Sequence, residues 1–106
     1  MGRTDTWLVE VLLPLTYNTG VKIPDEIGEA IRAELAERFG GLTAFTRSPA
    51  EGVWLGGGAP QKDDIVVLEI MTEGLDASWW QNWRSRMEDL LQQDAIIVRA
   101  HEIRRL

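Results

Sequence analysis

Cysteine is absent from the 106 residues, which removes disulfides, thiolate metal sites and cysteine nucleophiles together. Histidine occurs once, as His101, so multi-histidine metal centres are excluded within one chain. No apolar run approaches the roughly 18 residues of a membrane span. Near the start, Trp7 to Leu15 is interrupted by Glu10 and Pro14, so there is no signal-peptide hydrophobic region, and a cytoplasmic, membrane-free protein is expected. Positive charge is scarce: 11 Lys and Arg stand against 17 Asp and Glu, a formal net charge of −6. A field of that sign repels phosphate backbones, and Arg104-Arg105 at the end is the one local basic pair, so nucleic-acid binding is not expected. Gly56-Gly57-Gly58 lacks the Lys-Ser/Thr of a phosphate-binding loop, and Ser48 has no Gly-x-Ser-x-Gly around it. Neither a cofactor nor a bound metal is expected.

What is present is a chain of single-domain length, taken as one unit over 1–106. It is organised around Ile65 to Met71, in which six of seven residues are apolar. Its β-branched start and short length predict a central strand. Trp7 to Leu13 predicts a first strand, with Pro14 tolerated at its end, and Asn18-Thr19-Gly20 a turn. Pro24-Asp25-Glu26 opens a helix with Ile27, Ile31, Leu35 and Phe39 in one stripe and Ala30 beside them, closed by Gly40-Gly41. Leu42 to Arg47 predicts a second strand, broken by Ser48 to Gly52. Asp76 is placed to cap a second helix with the stripe Trp80, Trp83, Met87, Leu90 and Leu91, and Ile96 to Ile103 is the last strand. The order βαββαβ predicts a ferredoxin-like α+β domain: a four-stranded antiparallel sheet with two helices on one face.

Side chains alternate across each strand. One set is cleanly apolar: Val9, Val11 and Leu13; Val66, Leu68 and Ile70; Ile96, Val98 and Ala100. The other is mixed: Leu8, Glu10 and Leu12; Ile65, Val67, Glu69 and Met71; Ile97, Arg99, His101 and Ile103, with Thr43, Phe45 and Arg47 joining from the second strand. So apolar a face is poorly suited to water, and a second copy is its simplest cover, so a homodimer through this face is expected. Two carboxylates, Glu10 and Glu69, lie within it and need cationic partners if covered. Either Arg99 or the partner chain pairs with them and they only fix register, or they line a pocket in which Glu10 or Glu69 accepts a hydrogen bond or a proton. His101 would then supply the side-chain type that titrates near neutral pH. Of five tryptophans, Trp79 and Trp54 fall off the expected core, and Trp54, between Gly52 and the glycine run, is a candidate ligand or partner anchor.

The stretch Arg38-Phe39-Gly40-Gly41-Leu42-Thr43-Ala44-Phe45, followed by Ser48-Pro49-Ala50-Glu51-Gly52-Val53-Trp54, resembles a group of short, uncharacterised bacterial proteins. The resemblance implies a bacterial cytosolic protein of ferredoxin-like fold and carries no catalytic residue with it. Sheet-to-sheet dimers of the dimeric α/β barrel kind are the corresponding analogy. Three readings follow. The leading one is a homodimeric small-molecule-binding domain with a pocket on the non-helical sheet face, lined by Glu10, Phe45, Arg47, Trp54, Glu69, Arg99 and His101. The second is a structural or regulatory protein–protein module using the same face without a ligand. The third is a cofactor-independent enzyme of the dimeric α/β barrel kind, in which His101 and Glu69 transfer a proton; the balance of residues leans away from an enzyme.

Overall fold

The structure, a computed structural model, describes the backbone of residues 6–52 and 61–106, and the side chains of 6–45 and 65–106. Its elements run β1 (Thr6–Pro14), α1 (Asp25–Phe39), β2 (Thr43–Gly52), β3 (Gln61–Glu73), α2 (Ala77–Leu90) and β4 (Ile97–Ile103). The strands form one antiparallel sheet in the order β2-β3-β1-β4. This is the ferredoxin-like α+β arrangement that the pattern predicts. Its central pair, β1 and β3, is the most apolar in sequence because its strands have neighbours on both sides. No helix of the described residues is long and apolar enough to cross a membrane.

Alternation drives the packing. Val9, Val11, Leu13, Val66, Leu68 and Ile70 are buried under the helices. From α1 come Ile31 and Leu35, and from α2 come Trp80, Trp83 and Met87, with Leu91 just beyond it. Gly40 ends α1 in the left-handed region at φ 82°, where glycine has no Cβ penalty, and its N–H donates to the Ala36 carbonyl at 2.8 Å. At the other helix, the Asp76 carboxylate accepts from the Trp79 N–H at 3.1 Å, satisfying one of the free donors of the first turn. The Glu88 carboxylate accepts from the Ile96 N–H at 2.9 Å, which ties the start of β4 back to α2.

Several expectations are corrected. Strand β2 does not stop at Arg47: it continues to Gly52, with a register shift between Arg47 and Ala50. Pro49 lies in that interval, and having no N–H to give the ladder it falls at the irregularity and not at the strand's end. The continuation pairs Ala50 to Gly52 with Asp63 to Gln61, so β3 starts at Gln61 and carries polar residues that its apolar centre alone does not predict. Ala100 is exposed and Val98 only partly buried, because β4 is an edge strand. Leu90 and Ala30 point outward. Trp79 is not off the core. It is half-buried, edge-on to Phe39 at 5.4 Å and to Trp80 at 4.9 Å, while Phe39 stacks on Trp80 at 5.1 Å. Arg38 lies over the Trp79 ring at 4.2 Å, a cation–π contact that closes the aromatic cluster from outside.

Candidate ligand-binding face and cavities

The face of the sheet away from the helices is crossed by rows of side chains fixed by strand register. One row is polar: Thr43, Glu69, Glu10 and Arg99 stand side by side on β2, β3, β1 and β4. The next is apolar, Phe45, Val67, Leu12 and Ile97, and on the other side lie Met71, Leu8 and His101. The two carboxylates anticipated on this face are therefore direct cross-strand partners. Cβ atoms of such pairs lie about 4.5–5.5 Å apart, a spacing at which like charges destabilise a sheet.

Only one of the two is compensated within the described residues. Arg99 Nε donates to Glu10 Oε1 at 3.2 Å, with the arginine side chain 59% exposed and the glutamate 19%. Glu69 is half-buried in the sheet centre, and no cation of the described residues lies within ion-pair distance of it. The arrangement can accept hydrogen bonds or a positive charge between the two central strands, with apolar walls above and below.

Those walls are open. Phe45 is 44% exposed, Met71 51% and Ile97 53%, whereas Val66, Leu68 and Ile70 on the helix side of β3 are sealed. His101 is exposed and pairs across to Leu8, not to a carboxylate. With β1 between them and two residues of offset along the strands, His101 and Glu69 stand about 12 Å apart at the backbone, so the proposed proton-transfer pair does not form within one chain. Arg47 pairs across to Ile65, two residues along β2 from Phe45; its side chain lies outside the described residues. Trp54 lies wholly outside them. Among the described residues no group of three His, Asp or Glu could hold a metal ion.

Among the described residues two cavities lie on the helix side instead, and neither is lined by the open face. A broad one of about 590 Å³ lies between the end of α1 and the start of α2, with Arg38, Phe39, Trp79 and Trp80 in its wall. A narrower one of about 220 Å³ lies under the start of α1, lined by Leu13, Leu15, Ile23, Gly28, Ile31 and Leu91 among others. Sequence reasoning missed both. Their walls come from elements whose approach no periodicity encodes; the one local signal was a glycine inside a helical stripe.

The class these features define is a ferredoxin-like α+β domain with an uncovered, partly acidic sheet face. Among solved structures, a phage SAM lyase in complex with S-methyl-5′-thioadenosine has a similar fold: TM-score 0.69, 15% identity, covering 96% of this chain and 86% of that one. No family model matches the sequence, and no curated protein matches it.

Proposed function

We propose that the protein is a cytoplasmic, homodimeric small-molecule-binding domain. Its ligand sits against Glu10 and Glu69, between two copies of the open sheet face. The observation that carries this reading is the direct opposition of two carboxylates, one without a cation among the described residues, in the middle of an otherwise apolar face. Left alone such a pair costs stability; a cationic or hydrogen-bond-donating ligand turns the cost into affinity. A single open sheet is too flat to enclose a small molecule, and the second copy supplies the missing wall, with the exposed Phe45, Met71 and Ile97 as its apolar contacts.

The complex of the similarly folded phage SAM lyase with S-methyl-5′-thioadenosine supports a nucleoside ligand with a sulfur-bearing side arm, and selects the first probes. Calorimetric titration with S-methyl-5′-thioadenosine and with SAM, its sulfonium counterpart, tests the reading alongside sedimentation equilibrium. A dimer that binds SAM in preference, and loses that preference in Glu69→Gln, supports it. A monomer, or a dimer in which Glu69→Gln alters assembly alone, transfers the face to the protein–protein reading. The enzymatic reading requires His101 of one copy to approach Glu69 of the other, and predicts turnover lost in His101→Ala.

A further inference from the structure

Along the polar row of the open face the charges have an order: uncharged Thr43, then Glu69, Glu10 and Arg99 on successive strands. Arg99 Nε sits 3.2 Å from Glu10 Oε1, so the guanidinium lies on this face beside the carboxylates. Its side chain remains 59% exposed. Of the five N–H donors of a guanidinium, only Nε–H has an acceptor among the described residues. One strand spacing, about 4.8 Å, separates Glu69 from Glu10 and Glu10 from Arg99. The row thus presents two carboxylates close enough to share one small cation, next to a guanidinium with unused donors. A ligand that is only cationic meets Arg99 as a like charge, and one that is only anionic meets two carboxylates. A dipolar ligand satisfies both ends.

The geometry points to a zwitterionic α-amino-acid group as the chemical class this row takes. Its ammonium, with three N–H donors, bridges Glu69 and Glu10. Its carboxylate, on the same carbon, meets the Nη groups of Arg99 in the planar pairing that guanidinium and carboxylate share. The rest of the ligand extends over the half-exposed apolar groups that flank the row, Phe45 and Ile97 on one side and Met71 on the other. The site is that of the open-face ligand proposed above, on which the assignment rests. What is new is that the carboxylates read an ammonium and not a sulfonium, and that Arg99 reads a carboxylate. SAM differs from S-methyl-5′-thioadenosine by both an amino-acid end and a sulfonium, so a preference for SAM alone does not separate the two.

The test is calorimetric titration of the whole protein with SAM, decarboxylated SAM, S-adenosylhomocysteine, S-methyl-5′-thioadenosine and L-methionine. S-adenosylhomocysteine has the amino-acid end and no sulfonium. It is expected to bind about ten-fold more tightly than the thioadenosine, the effect of one hydrogen bond to a charged group. Decarboxylated SAM keeps the ammonium and the sulfonium, and should bind about ten-fold more weakly than SAM for the same reason. Arg99→Gln should erase that second difference, Arg99→Lys should restore part of it, and Glu69→Gln should erase the first. L-methionine binding as tightly as S-adenosylhomocysteine would support a free amino acid as the source of the group, and weaker binding the end of a larger molecule. Equal binding of SAM and decarboxylated SAM, or S-adenosylhomocysteine no better than the thioadenosine while SAM is preferred, would overturn the amino-acid assignment and leave a cation-binding face. Binding of none of these compounds at millimolar concentration would overturn it together with the open-face ligand.

Discussion

The two faces of this sheet are made by the same four strands, yet they obey different rules. On the helix side Val9, Val11, Leu68 and Ile70 are sealed, and among the described residues one buried side-chain polar group there has no partner. It is the Trp83 indole N–H, fully buried with no acceptor. On the open side Leu8, Leu12 and Val67 alternate with Glu10 and Glu69, and large apolar groups reach water at the margins. One face is built as an interior, and the other mixes apolar and charged groups at the surface.

The contrast can be broken most strongly from the sealed side. Leu68→Ala should cost about 2–5 kcal/mol, the loss of a fully buried leucine plus the cavity left behind, read as a lower midpoint in urea unfolding. From the open side, Ile97→Lys should leave monomer stability within about 0.5 kcal/mol, as surface substitutions usually do, while sedimentation equilibrium shows the proposed dimer dissociated. A dimer that persists unchanged would mean the open face is not the interface. Next in size is Glu69→Gln. Removing one of two opposed charges should stabilise the fold by roughly 0.2–1 kcal/mol, measured by thermal unfolding at concentrations where the Ile97→Lys protein is monomeric. An effect of the same size and opposite sign belongs to Arg99→Ala. Its exposed pair with Glu10 is worth about 0.2–1 kcal/mol, and in a Glu10→Gln background the substitution should cost nothing. A residual cost there would assign Arg99 a role beyond that ion pair.

How much of this was legible in the chain follows the same division. The helix-covered residues were readable because periodicity reports burial: Ile31, Leu35, Trp80 and Trp83 recur at helical spacing, and Val9, Val11, Leu68 and Ile70 alternate. Topology followed from element order. Sequence also placed Glu10 and Glu69 on one face, yet not opposite each other, because register is a relation between strands some sixty residues apart. Trp79 was misplaced since its position on the helix wheel borders the stripe; the partner that covers it, Phe39, ends a different helix. The extent of β2 was lost for a related reason. A proline reads locally as a stop, and only the pairing of Ala50 to Gly52 with β3 makes it an interruption.

Strand order also carries a consequence for how the chain reaches this state. Val9 pairs with Ile70 on one side and Ala100 on the other, so β1, first of these four strands in chain order, waits longest for its neighbours. The β2–β3 hairpin can form from nearby residues, while β1 gains a place only after β3 is complete, and such non-local pairings slow folding. Until then β1 keeps its apolar residues and unpaired backbone available to other chains. Charged Glu10 in its middle, held by Arg99 in the finished sheet, is until then a charge of the kind that discourages premature association.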